Sequence, residues 1–194
     1  MLRGSGAVAH PVRRLNPLEP ADAPAKSSEL LTEIIGRHGT AGDMVRTMAH
    51  SPALLTGYLS FSRAMKRTKL PAALGEKISL AVQEWLGCAS CLAAHTDAAK
   101  ALGLSDADVS LARQGTSANP REAALLAFVV NVVAEPATIG DADIAALTAH
   151  GWTERTIADV VGLVALNQLT GTFNLVAGIE PAPAGSESAS LDPE

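Results

Sequence analysis

Glu76, Cys88, Cys91 and His95 are the residues of this chain whose types and spacing could do chemistry. Cys88 and Cys91 are its only cysteines and form a Cys-x-x-Cys pair. His95 follows four residues after the second, and Glu76 precedes the first by twelve. If the chain is helical from Cys88 onward, Cys88, Cys91 and His95 fall within roughly 60° of arc, because each residue advances a helix by about 100°. Two thiols and an imidazole then share one face. The thiolate is the nucleophile of thiol chemistry, and the partial positive charge of a helix N-terminus favours it. Cys88 lies just after Gly87, where such a terminus is expected, and Cys91 sits one turn in, within reach of a disulfide. His95 can exchange a proton with either thiol, directly or through water. Glu76 could orient His95 or receive its proton, as a third group holds a base elsewhere.

Blander readings stand beside this one. The cysteines could be two small buried residues, and His95 a packed or exposed histidine. Glu76 is the least secure by periodicity. The apolar stripe of its helix is Leu74, Ile78, Ala81, Val82 and Trp85, and Glu76 points to the other side with Leu80 and Gln83. Read alone, it is a solvated glutamate, and it becomes functional only if its helix is covered on both sides. Zinc is the main rival for Cys88, Cys91 and His95. A structural zinc site usually takes four Cys or His ligands, whereas His10, His38, His50 and His150 are isolated and no second cysteine pair exists. A thioredoxin-like reading needs a βαβ context that the sequence lacks. Neither metal nor cofactor is expected.

The totals narrow the class. A length of 194 residues fits one domain with a core. The sequence is 47% hydrophobic but only 3% aromatic, so Ala, Leu and Val fill the interior, a composition that favours helices. A formal charge of −5 with scattered Lys and Arg gives no basic footprint for nucleic acid. No apolar run reaches the ~18 residues that span a bilayer, and the start of the chain is too short in apolar length for a secretory segment. No membrane or nucleic-acid partner is expected. The cytoplasm is the expected compartment, where thiols rest reduced.

The elements that must position these residues are helices. Residues 1–26 read as a flexible tail broken by Pro11, Pro17, Pro20 and Pro24. Ser27-Ser28 caps a helix over 29–38, a short helix covers 41–50, and Ser51-Pro52 starts one reaching Arg67. Pro71 opens the helix that carries Glu76, Gly87 breaks it, and 88–102 follows. The run 125–133 is β-branched enough for a strand, but Asn119, Pro120 and Glu122 form a helix start, so 120–135 is read as a buried helix. Asp141 caps a helix over 142–149. Thr153 starts a final helix to Ala177 whose run from Val160 is apolar nearly all round, so it should be central or at a subunit contact. Asn167, Gln168, Thr170, Thr172 and Asn174 interrupt it and are expected to satisfy helix–helix or subunit contacts, with Asn167 near the thiols as the minority reading. Trp85 and Trp152 read as core or rim. The expected fold is all-α, about eight or nine helices over 27–179 with no sheet, followed by a disordered tail over 180–194.

The series Glu76, eleven residues, Cys88-x-x-Cys91, three residues, His95 resembles the core motif of the AhpD-like alkylhydroperoxidases, within the carboxymuconolactone decarboxylase superfamily. Met44-Val-Arg-Thr-Met-Ala-His50-Ser-Pro52 and Asn119-Pro-Arg-Glu-Ala-Ala extend the likeness to the peroxidase-related branch, over 27–180. The resemblance implies an AhpD-like helical domain, homo-oligomers (trimers or hexamers), and Glu76 in the interior. It implies a hydroperoxide substrate reduced by the Cys88/Cys91 pair, with His95 and Glu76 as proton relay and a dithiol, protein or lipoyl-type, as reductant. Some members carry a second histidine between the cysteines; Ser90 stands there instead. Helix electrostatics favour Cys88 as the attacking sulfur, while the resemblance implies Cys91 with Cys88 resolving. The decarboxylase branch usually lacks the pair. The alternative function is a non-enzymatic redox sensor or oligomeric binding protein switched by the disulfide.

Overall fold

Helix boundaries fall where backbone chemistry places them. Ser51 accepts the Leu54 N–H and Thr153 the Thr156 N–H, closing two helix starts with side-chain oxygens. Ser105 and Asp108 form a reciprocal capping box. The computed structural model describes residues 13–181. Among them are nine α-helices and no strand: α1 Ala25–His38, α2 Asp43–Met48, α3 Pro52–Met65, α4 Ala72–Leu86, α5 Ala89–Ala101, α6 Asp106–Arg113, α7 Pro120–Ala134, α8 Asp141–Ala149 and α9 Glu154–Ala177. The expected all-α class holds, and 120–134 is helix rather than strand. Its start differs in detail. Asn119 accepts the Arg121 N–H, and Glu122, expected to reach back to the cap, instead accepts from Lys77 of α4 at 2.7 Å and from Ser117 at 2.9 Å.

α4 is the axis of the fold. Ile78, Ser79, Leu80, Ala81, Val82 and Gln83 are six consecutive buried residues, which requires cover on every side. Leu74, Ile78, Ala81 and Val82 pack with Leu125, Leu126, Phe128 and Val129 of α7 and with Val160 and Val164 of α9. Leu80 points the other way, into a second cluster with Ala99 of α5 and Val109 and Ala112 of α6. A third cluster, built on Leu31, Val45, Met48 and Leu55, joins α1, α2 and α3, with Phe173 of α9 against it.

α9 is not buried all round: it packs on α2, α3, α4, α5 and α7, while Val161, Leu175 and Val176 stay exposed, which leaves the subunit-contact alternative of the expectation open. By length and composition α9 alone among the described residues could cross a membrane, with 33% of its apolar window buried in the fold. Trp85, placed on the apolar stripe of α4, is 56% exposed, since the cover of α4 ends at its last turn. Trp152 is a core residue, its indole N–H donating to Arg121 O at 2.9 Å and its ring lying under the Arg121 guanidinium at 3.9 Å.

The region assigned to an N-terminal tail divides. Residues 1–12 lie outside the described residues, as do 182–194 of the C-terminal one. Residues 13–24 run against the helices: Arg14 and Leu15 donate N–H bonds to Ala177 O, Leu18 N–H to Arg46 O, and the Arg46 guanidinium pairs with Glu19. α1 begins at Ala25, after Pro24, so Ser27 is inside the helix and buried rather than at its cap.

The α4–α7 tie yields a pH dependence. Burial alone would push the Glu122 carboxyl up, but hydrogen bonds from Lys77 and Ser117 and the Lys77 charge hold it below the ordinary glutamate value. A depressed folded value stabilises the fold above the unfolded value, and that contribution is lost as pH falls through the folded one. Glu122→Gln should therefore cost on the order of 1 kcal/mol at pH 7, and the gap to wild type should close below about pH 4.3. Thermal midpoints across pH 3–7 check this; a gap that stays constant with pH would rule it out.

Candidate functional site

The two sulfurs sit at a junction with almost no loop. Gly87 takes a left-handed conformation (φ 73°) that ends α4. Cys88 N–H then reaches back to Gln83 O at 3.1 Å and Gly87 N–H to Glu84 O at 3.1 Å, the paired bonds of a Schellman turn. The next residue, Cys88, is already the N-cap of α5, and its Sγ accepts the Cys91 N–H at 3.4 Å. One glycine thus turns the chain from the end of α4 to the start of α5, and the cysteine pair occupies the first turn. That is the electropositive end expected from the sequence.

Cys88 and Cys91 are joined as a disulfide, with their Cα atoms 5.3 Å apart. Both are buried, Cys88 to 1% and Cys91 to 6% residual exposure, so Cys91 is the more open of the two. Ser90 Oγ lies 3.4 Å from Cys88 Sγ. The residue that replaces the second histidine of some relatives therefore touches the first sulfur.

Glu76 lies where its stripe alone would not put it. Because α5 and α6 cover the second side of α4, Glu76 is half-buried, and its Oε2 is 2.8 Å from Nδ1 of His95. The contact is direct, with no bridging group between them. A carboxylate at Nδ1 takes the N–H of that nitrogen and leaves Nε2 as the proton-accepting position of the ring. His95 stands one turn beyond Cys91 on the same face of α5. The structure therefore forms two groups along α5, the disulfide and the His95–Glu76 pair.

Sequence reasoning missed the burial of Gln83 and the contact of Asn174 with a cysteine. Gln83, placed with Glu76 on the solvated side, is fully buried and donates from Nε2 to Asn167 O and Oδ1, both at 3.0 Å. Asn167 Nδ2 donates to Ser79 Oγ at 3.1 Å and Leu163 O at 3.0 Å. Asn167 thus ties α9 to α4, as its first reading expected. The side chain that reaches a cysteine is Asn174, whose Nδ2 donates to Cys91 Sγ at 3.3 Å. The usable signal was spacing. Asn167 and Asn174 are seven residues apart, two turns along one face of an apolar helix, and such amides must face partners.

Between them lies Gly171. A Cβ there would run into Gln83 Oε1 and come within 2.7 Å of Leu86 Cδ1, so its bare backbone sets how closely α9 approaches α4. Gly171→Ala should cost about 1–3 kcal/mol, or roughly 2–12 °C in thermal midpoint for a chain this size. Asn167→Ala removes the donor to Ser79 Oγ and one of the two acceptors of Gln83 Nε2, leaving the bond to the backbone O of residue 167, and should cost about 1–3 kcal/mol in urea unfolding. Wild-type stability in both variants would contradict this account of the contact.

Comparison with known proteins places the chain. Residues 52–131 match the model of the Carboxymuconolactone decarboxylase family. No curated protein matches the chain. Among solved structures, it resembles an "alkylhydroperoxidase AhpD core: uncharacterized peroxidase-related protein" from Ralstonia eutropha JMP134, at TM-score 0.76 and 23% identity over 90% of this chain and 95% of that one. An uncharacterized peroxidase-related protein from Silicibacter sp. TM1040 superposes at TM-score 0.74 and 19% identity, covering 93% of this chain and 96% of that one. The debrominase Bmp8 superposes at TM-score 0.70 and 20% identity, covering 87% and 92%. These likenesses concern the fold.

Proposed function

We propose that this chain, whose residues 52–131 match the Carboxymuconolactone decarboxylase family and whose fold is AhpD-like, is a thiol-dependent peroxidase that reduces hydroperoxides through a Cys88/Cys91 dithiol–disulfide cycle. The observation that carries it is the Cys88–Cys91 disulfide in the first turn of α5, with the His95–Glu76 pair one turn further along.

In the proposed cycle the Cys91 thiolate attacks the outer oxygen of the hydroperoxide. An S–O bond forms, the O–O bond breaks, and the departing alkoxide takes a proton and leaves as an alcohol. Cys91 is then a sulfenic acid. The Cys88 thiolate attacks its sulfur, the S–S bond forms, and hydroxide leaves as water once protonated. A dithiol, protein or lipoyl-type, reduces the disulfide by exchange and is itself oxidised. His95, held at Nδ1 by Glu76, moves protons through Nε2 between the thiols and the leaving oxygens. The residual exposure of Cys91 against 1% for Cys88 supports Cys91 as the sulfur that meets the peroxide.

The reading includes a homo-oligomer, trimer or hexamer, in the cytoplasm. Its support is the apolar face that α9 leaves open at Val161, Leu175 and Val176, of the kind a second copy covers. Loss of the monomer peak in gel filtration with light scattering is expected.

Peroxide consumption with a dithiol reductant should vanish in Cys88→Ser and in Cys91→Ser. His95→Ala should lower turnover by about a hundredfold or more, as expected for loss of a general acid–base group, and Glu76→Gln by a smaller factor. Unchanged turnover in both cysteine variants would sink the proposal. Oxidation that changes assembly without turnover would favour a redox switch instead.

A further inference from the structure

Two buried side-chain oxygens near the cysteine pair have no hydrogen-bond partner, Gln83 Oε1 and Asn174 Oδ1. The first has a packing explanation. Gln83 is locked by Nε2 onto Asn167, and its oxygen faces the bare backbone of Gly171. Asn174 has no such explanation. It is 8% exposed, and the only hydrogen bond of its side chain among the described residues is from Nδ2 to Cys91 Sγ at 3.3 Å.

Against a disulfide this is a poor arrangement. A disulfide sulfur is neutral, a weak acceptor, and has no proton to give. The Nδ2–H gains little there, and an unmade bond to the buried Oδ1 costs about 1–3 kcal/mol. The same amide suits the other states of Cys91. A thiolate is an anionic acceptor, for which an N–H donor makes a charge-assisted bond roughly twice as strong as a neutral one. A sulfenic acid carries a hydroxyl one bond from the sulfur, and that hydroxyl needs an acceptor. Oδ1 hangs from the same carbon as Nδ2, beside the sulfur and unoccupied.

The structure holds the amide there firmly. Gly171, one turn before Asn174, lets α9 close on α4, and the Gln83–Asn167–Ser79 bonds fix the register. We infer that Asn174 is a catalytic residue of the thiol cycle, its Nδ2–H stabilising the Cys91 thiolate and its Oδ1 accepting the hydroxyl of the Cys91 sulfenic acid. The inference rests on the cycle proposed above. Asn174 neither gains nor loses a proton or electron in it. It stabilises the anion before the S–O bond forms, and orients the oxygen that leaves when Cys88 closes the disulfide.

The test uses the full chain with Cys88→Ser, which leaves Cys91 as its single thiol. Asn174→Asp keeps the size of the side chain and replaces the donor with an oxygen; Asn174→Ala removes both arms. Reduced protein is alkylated with iodoacetamide across pH 5–10, with circular dichroism confirming the helical fold of each variant. Both substitutions should move the pH midpoint of alkylation upward and slow it at pH 7 by about tenfold or more, Asp more than Ala because its charge opposes the thiolate. After one equivalent of hydrogen peroxide, Asn174→Ala should also yield less dimedone-trapped sulfenic acid and more sulfinic acid. Midpoints and trapping yields equal to those of Cys88→Ser alone would overturn the inference. The alkylation profile reads Asn174 whether or not the chain turns over peroxide. Shifted midpoints in a chain that never consumes peroxide would count against the peroxidase reading and for the thiolate contact.

Discussion

The packing of α9 on α4 is the contact on which the rest of the molecule depends. It is an unusual core contact because its centre is polar. Ser79 and Gln83 of α4 meet Asn167 of α9 with no water-exposed edge. Apolar side chains tolerate sliding; buried amides do not, since a shift of one residue strands donors and acceptors at the desolvation cost of each. The polar centre therefore fixes the register of the two helices, and Gly171 fixes their distance. Leu, Ile and Val from α7 and α9 supply the bulk of the stabilisation around it. The amides select which of the possible apolar packings is adopted.

The sulfurs inherit that register. Cys88 is tied by its N–H to Gln83 O, the backbone of the residue whose side chain holds Asn167. Cys91 is touched by Asn174, two turns beyond Asn167. Position passes from the α4–α9 contact to the cysteines through a few backbone and amide bonds, without a flexible segment. His95 and Glu76 are placed in the same way, one on α5 and one on α4, bonded across the interface of the two helices. A site built on helix positions rather than loops keeps its geometry while bonds to sulfur form and break.

Much of this was legible in the sequence, and the failures at the site share one cause. Most helix starts and stops were readable because they depend on local chemistry: Ser51, Asn119 and Thr153 at caps, Gly87 in a left-handed conformation. The shared face of Cys88, Cys91 and His95 followed from helical geometry alone. Glu76, Gln83 and Trp85 did not follow. A stripe analysis assumes one buried face, whereas α4 is covered on two sides over most of its length and uncovered at its last turn. The periodicity of a helix says which residues share a face, but not how many faces have neighbours. The same limit left α9 readable as either central or at a subunit contact. Its apolar run is long, yet the neighbours that would bury all of it are absent from the single chain. Family resemblance supplied the interior position of Glu76 because it carries information about neighbours that one helix cannot.

Residues 13–15 run alongside the end of α9. Arg14 and Leu15 give their backbone N–H groups to Ala177 O, and the Arg14 guanidinium donates to Leu175 O and Val176 O, occupying carbonyls that a helix end leaves open. The two ends of the described residues are thus in hydrogen-bond contact, 2.8 Å from Arg14 N to Ala177 O. In topological terms the protein is a ring of helices cut at one point. The order in which the helices appear along the chain is one of several linear readings of the same packing. A circular permutant that joins these ends and opens elsewhere, in the exposed stretch around Gly140 between α7 and α8, keeps every contact between α4, α5 and α9 described above.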